Sequence, residues 1–382
     1  MRKLLRRFLL TLSFVLIALS AAVAADYEVF VGTYTGPKSK GIYVFHFDPE
    51  TGKFMQPELA AVTENPSFLA LDPKNHFLYA VNETENYKGG SSGAVSVFSL
   101  DPATAKLGFE QQVSSLGADP AYIAVDHSGK NVLVANYTSG SVAVFPIKSD
   151  GTLGEHSALD QHSGSSVDPE RQKGPHAHSI QLTNDNRFAM SADLGLDKII
   201  VHRFDAAHGT LKSNVGQPFL TVTPGSGPRH IAFDRSGKFA YVLTEMGTTV
   251  TVFSLDPKTG AMKELQTIPA VEKRDPANTG AEIAIDPSGH FLYASIRGVD
   301  VITQFAVDPN SGKLTLVERV PSVAKEPRFF TLDPTGHWML VAGQKSDDIV
   351  LFKVDQTSGK LTPTGKKLEI GAPVCLVFVP SK

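Results

Sequence analysis

Apolar residues along this chain fall in short runs, many of them alternating with polar positions, and no useful helical period appears after the first 25 residues. Val250-Thr-Val-Phe-Ser-Leu255 alternates strictly, while Phe239–Thr244 and Phe291–Ser295 are nearly continuous apolar runs. Both patterns predict strands, the first with period-2 alternation and the second apolar nearly throughout. Between them stand turn residues at fixed offsets: Asp72-Pro73, Asp126 to Gly129, Asp234 to Gly237, Asp286 to Gly289 and Asp333 to Gly336. A second kind of turn, Asp256 to Gly260 and Asp308 to Gly312, follows the alternating strand.

The same phrase recurs. Cognate segments begin at Pro66, Pro120, Pro175, Pro228, Gly280, Pro327 and Pro373, a spacing of roughly 50 residues that marks a repeat architecture. Each unit reads as four short antiparallel strands, the pattern of a propeller blade. The last unit is split. Pro373–Val379 supplies an innermost strand, and Tyr27–Tyr34 and Gly41–Asp48 supply the next two. The predicted fold is all-β: a seven-bladed β-propeller of four-stranded antiparallel blades, closed by N- and C-terminal strands sharing one blade. Closure removes open sheet edges. The polar stretch Glu155–Lys173 reads as a loop on one face.

Residues 1–25 read as a signal peptide and 26–382 as the propeller. Arg2, Lys3, Arg6 and Arg7 precede an apolar run from Phe8 to Ala22, and Ala22-Val23-Ala24 has the small-x-small form of a cleavage site. This predicts a periplasmic or secreted protein with no membrane segment in its mature form. The single cysteine, Cys375, has no internal disulfide partner and is expected as a buried thiol. Net charge is −3, and loss of the basic leader makes the mature chain more acidic. No basic face or nucleic-acid motif is present, so nucleic acid is not an expected partner. The pattern is silent on oligomeric state.

In a propeller, the start of each blade's first strand and the end of its second converge on one mouth of the central channel. Counting back from the turn aspartates, or from Thr183 in their place, the first register holds Ser67, Ala121, His178, Arg229, Ala281, Arg328 and Pro373. The second holds Glu83, Tyr137, Leu194, Glu245, Arg297 and Gln344. Their chemistry varies from blade to blade, which structural repeat positions have no reason to do.

Glu245 is the leading acid/base candidate. Arg229 suits an anionic group or a developing oxyanion, or forms an ion pair with Glu245. Arg297 comes from the adjacent blade. His176 and His178 alternate along a strand; they read as a base, as a metal-chelating pair or as channel wall, though no cysteine or third nearby histidine supports a tight metal site. Asp193 is placed to bond a histidine. His176, Asp193, His230, Glu282 and Arg328 are secondary substrate-binding candidates. His76, His127, His290 and His337 lie at hairpin turns and read as surface residues. No nucleophile elbow, phosphate-binding loop or dinucleotide fingerprint occurs, and no cofactor or metal is expected.

Val31-Gly-Thr-Tyr-Thr35, Gly174-Pro-His-Ala-His178, Asp193-Leu-Gly195, Gly227-Pro-Arg-His230, Thr244-Glu245 and Ser295-Ile-Arg-Gly298 resemble the seven-bladed propeller lactonase family, which includes propeller-type 6-phosphogluconolactonases and carboxymuconate cyclases. The resemblance spans essentially the whole mature chain. It implies a metal-independent site in the central channel that opens or closes a small-molecule lactone, with His178 (or His176), Arg229, Glu245 and Arg297 as catalytic residues. Family members often carry Asn-Arg-Gly-His where this chain has Ile296-Arg297-Gly298-Val299, which implies altered substrate contacts. A leader peptide implies a substrate met outside the cytosol. Three readings follow: a hydrolase of sugar lactones, phosphorylated or not; a muconate-type lactonizing isomerase; and an exported propeller that binds a protein or glycan without catalysis.

Overall fold

The structure is a computed structural model and describes residues 26–381. The leader expected at residues 1–25 lies outside the described residues. Seven antiparallel sheets form a ring. Blade one joins the chain ends, with Pro373–Pro380 innermost, then Tyr27–Thr33 and Gly41–Asp48, and Lys53–Phe54 with Glu58–Val62 outermost. The innermost strands of blades two to seven are Leu69–Leu71, Pro120–Val125, Ala177–Leu182, Pro228–Phe233, Thr279–Ile285 and Pro327–Leu332. The only helical element among the described residues is one 3₁₀ turn at Tyr87–Gly89.

The core is divided among the interfaces between blades. Val242 and Phe253 of blade five pack with Met190 and Val201 of blade four, and Tyr241 and Val250 face Ile283 and Leu292 of blade six. A strand in the middle of a blade therefore buries both faces. This explains why Asn131–Asn136 and Phe188–Asp193 are buried along their whole length and read as continuous rather than alternating apolar runs.

The recurring aspartates hold the inner hairpins. Asp234 accepts the backbone N–H of Phe239 at 2.7 Å and of Ser236 at 2.9 Å, and Asp286 and Asp333 do the same for Phe291 and Trp338 at 2.8 and 2.7 Å. Such a turn closes the hairpin and satisfies backbone donors together. The four turn histidines are exposed. Cys375 is fully buried, and burial pushes its thiol pKa up. Within the stretch expected to be a loop, Ala158–Gln161 instead forms the outer strand of blade three, paired with Ser141–Pro146. It is an edge strand, where polar side chains face water at little cost.

One irregularity decides where side chains point. In six blades the pairing between first and second strands shifts near the channel mouth. In blade four Ala177 pairs with Asp193 and Ser179 with Ala192, so His178 has no opposite residue. Arg229 and Arg328 occupy the same unpaired position in blades five and seven. An extra residue in one strand bends it and redirects its side chain, and such bulges recur at binding sites.

Candidate active site

The two registers meet at the channel mouth. A cavity of about 250 Å³ is lined there by Tyr34, Glu83, Ala121, Tyr137, Arg171, His178, Glu245, Arg297 and Arg328. Tyr34, Glu83, Tyr137, Glu245 and Arg297 end or directly follow second strands, and Ala121, His178 and Arg328 sit on bulges.

Glu245 is the hub. Its backbone N–H donates to Gly227 O at 2.7 Å. Gly227 has φ +59, where a Cβ would come within 2.9 Å of Leu194, so any side chain there is strained. Glu245 Oε2 lies 3.2 Å from Arg229 Nε and 3.1 Å from an Arg297 guanidinium nitrogen. Arg171 donates to Oε1 at 2.8 Å. Burial would raise the carboxyl pKa, but Arg297, Arg229 and Arg171 outweigh it and hold it down at about 2.

His178 Nε2 stands 3.7 Å from Glu245 Oε2. Burial, then Arg229 and His230, push its pKa well below the usual imidazole value. The ring is therefore neutral at pH 7. Tyr137 packs edge-on against His178, and its hydroxyl accepts from Arg171 at 3.0 Å.

Several residues expected to touch substrate stand behind the wall instead. Arg229, 2 % exposed, is one. It pairs with Glu245 and donates to the carbonyl of Ala281. Burial, Arg328 and Arg297 lower its pKa to about 9, which still leaves it cationic at pH 7. His230 and Glu282 form a buried pair at 3.0 Å, packed against Tyr122 and Phe68 deeper in the channel. His176 stacks on Tyr137 at 4.7 Å and lies outside the cavity wall; the bulge breaks the simple alternation that paired it with His178. Asp193 bonds a histidine, but that residue is His162, at 2.6 Å, and its other oxygen accepts the backbone N–H of His176 at 2.8 Å. It braces the loop rather than the cavity. Arg328 does line the cavity. Ile296 is core and Val299 is exposed; neither lines the cavity, so the departure from the family pattern flanking Arg297 does not alter its wall.

Two wall residues escaped the sequence reasoning. Tyr34 is blade one's counterpart of Glu245, since Thr33 pairs with Pro373 as Thr244 pairs with Pro228. That blade is split between the termini and lacks the turn from which the register was counted. Arg171 belongs to no blade register. It sits on the loop after Ala158–Gln161, held by Gln172 Nε2 to Leu194 O at 2.8 Å and by Ser166 to Asp197 at 2.6 Å. Asp197 also accepts the backbone N–H of Gly227 at 2.7 Å, so one carboxylate fixes both the loop and the turn that seats Glu245.

The sequence profile of the family described as "Lactonase, 7-bladed beta-propeller" matches residues 28–378. The chain belongs to this lactonase family. It is 35% identical over 305 residues to a 6-phosphogluconolactonase of Bacillus subtilis, covering 80% of this chain and 84% of that one. A 6-phosphogluconolactonase of Formosa agariphila is 32% identical over 312 residues, covering 80% and 86%. Among solved structures, the periplasmic gluconolactonase of Pseudomonas aeruginosa superposes with a TM-score of 0.88 at 36% identity, over 94% of this chain and 100% of that one. As a family member the chain is a lactone hydrolase, and a small-molecule lactone is its substrate.

Proposed function

We propose that this cavity hydrolyses a sugar lactone, phosphorylated or not, by acid/base chemistry of the chain's own side chains. The observation that carries the reading is the charge arrangement. Three guanidinium groups (Arg171, Arg297, Arg328) face two carboxylates (Glu83, Glu245) on the wall, with Arg229 behind. This positive excess suits the oxyanion that develops when water adds to a lactone carbonyl, and also an acidic substituent.

Glu245 is paired with three arginines and is a weak base at neutral pH. His178, neutral and 3.7 Å from Glu245, takes the role of proton acceptor. In the proposed step His178 takes a proton from water as the oxygen bonds to the carbonyl carbon. Arg297, whose Nε has no partner, stabilises the oxyanion. The carbonyl then re-forms, the ring C–O bond breaks, and the imidazolium returns its proton to the leaving oxygen. A hydroxy acid results. Glu245 stabilises the transient imidazolium across the 3.7 Å gap. Export by the expected leader would place this reaction in the periplasm or outside the cell, which favours unphosphorylated sugar lactones.

The test is a pH-indicator assay of the mature protein on phosphorylated and unphosphorylated sugar lactones, beside Arg297→Ala and His178→Asn. Acid release above the spontaneous rate, lost in both variants, is expected. No release above background on any lactone would overturn the reading in favour of a non-catalytic binding propeller.

A further inference from the structure

The cavity has a second polar group that the proposed hydrolytic step does not use. Tyr34 donates its hydroxyl proton to Glu83 Oε1 at 2.7 Å and accepts from an Arg328 guanidinium nitrogen at 2.8 Å. Arg328 also lies over the Tyr34 ring, 5.3 Å from its centroid. The backbone is fixed as carefully. Asn65 Oδ1 accepts the N–H of Thr35 at 2.9 Å, its Nδ2 donates to Glu83 O at 3.2 Å, and its own carbonyl accepts the N–H of Glu83 at 3.0 Å. One asparagine thus ties the ends of two blades' second strands together. Among the described residues no hydrogen bond or ion pair joins this group to the Arg171–Glu245–Arg297 group.

The unspent atom is Glu83 Oε2. It is shielded from solvent and has no hydrogen-bond partner, in a residue that lines the cavity. Within the group Oε1 accepts from Tyr34 and the phenol oxygen accepts from Arg328. A buried polar atom left without a partner is costly and calls for an explanation. A carboxylate oxygen only accepts, so its partner must be a donor.

We propose that Glu83 is a specificity-determining residue that accepts a hydrogen bond from a ring hydroxyl of the lactone, with Tyr34 and Arg328 holding it in place. This rests on the lactone reading and deepens it. Substrates carrying a hydroxyl at that end are selected; unsubstituted aliphatic lactones leave Oε2 unpaired, and dicarboxylic lactones set a second anion against it. A site built to bond a hydroxyl rejects the analogue that lacks it more strongly than an apolar pocket rejects an added one.

Two measurements on mature wild type and the isosteric Glu83→Gln test this. In the first, kcat/KM is compared on glucono-δ-lactone and δ-valerolactone. Glu83→Gln is expected to lose about 10- to 100-fold on the hydroxylated lactone, and at least tenfold less than that on δ-valerolactone. Equal losses on both substrates, or no loss on glucono-δ-lactone, would overturn the assignment. The second needs no turnover: calorimetric binding of gluconate against hexanoate. Wild type is expected to prefer gluconate by about tenfold, and the variant to lose that preference. If wild type opens no lactone but shows and loses this preference as stated, the hydrolytic reading fails and the role of Glu83 stands. If hydrolysis is intact and the preference is absent or survives in Glu83→Gln, the role of Glu83 fails alone. Tyr34→Phe, which frees Oε1, is expected to erode the same discrimination in part, and a full retention of it would count against the assignment.

Discussion

Glu245→Gln removes one negative charge from the centre of the arginine cluster and changes almost nothing in shape. The carboxyl is buried, and its pKa is held at about 2 against an ordinary 4.5. At 1.36 kcal/mol per unit, that difference corresponds to about 3 kcal/mol of native-state stabilisation of the charged form. The sign follows from the depressed pKa. The contribution is complete above the unfolded pKa near 4.5 and is lost as pH falls toward 2, where the native carboxylate at last protonates. Glutamine cannot supply it at any pH. The variant also leaves Arg229 buried beside Arg297 with no counter-charge, and breaking a buried pair typically costs 3–5 kcal/mol. With about 2.1 cal/mol/K of unfolding entropy per residue over the described chain, a 3 kcal/mol loss lowers Tm by about 4 °C. The assay is thermal unfolding of the mature wild type and Glu245→Gln between pH 7 and pH 2. The expected result is a gap of that size at pH 7 that narrows below pH 4.5. A variant as stable as wild type at pH 7, or a gap that does not change with pH, would refute the placement of Glu245 as the cluster's hub.

His178→Asn is expected to lower kcat by roughly 10²- to 10⁴-fold with a small change in KM, measured by steady-state kinetics. Because the native pKa of His178 is depressed, wild-type activity should persist below pH 6.5 for as long as the protein stays folded. The unfolded chain takes up that proton first, so His178 costs stability as pH falls below 6.5, and denaturation series should show a shallower loss in His178→Asn. Arg171 is half-exposed, so Arg171→Ala should change stability by less than about 1 kcal/mol. Its KM for an acidic lactone should rise more than that for a neutral one, by a factor that shrinks as salt is added. Gly227→Ala forces a Cβ into a left-handed backbone position against Leu194; a loss of about 1–3 kcal/mol is expected in denaturant unfolding, together with lower activity because the turn seats Glu245.

Much of this protein was legible in the sequence because a propeller is a repeat. Turn aspartates such as Asp234 and Asp286, apolar second strands and a spacing of roughly 50 residues dictate the blades, the split closure and the two registers of the channel mouth. Counting within those registers reached His178, Glu245, Arg297 and Arg328, because strand length and turn chemistry are local properties. What only the tertiary structure decided is which of these groups face the cavity and what else reaches it. All three bulge residues share one register, yet Arg229 lies behind Glu245 while His178 and Arg328 line the cavity, and His230 pairs with Glu282 below it. Arg171 arrives on a loop whose path is set by Asp197 and Leu194, residues of the neighbouring blade, and Tyr34 enters because the ring closes between distant chain ends. The physical reason is the same in each case. Periodicity determines what each strand does within its own blade, whereas a site between blades is set by contacts between residues that no local spacing relates.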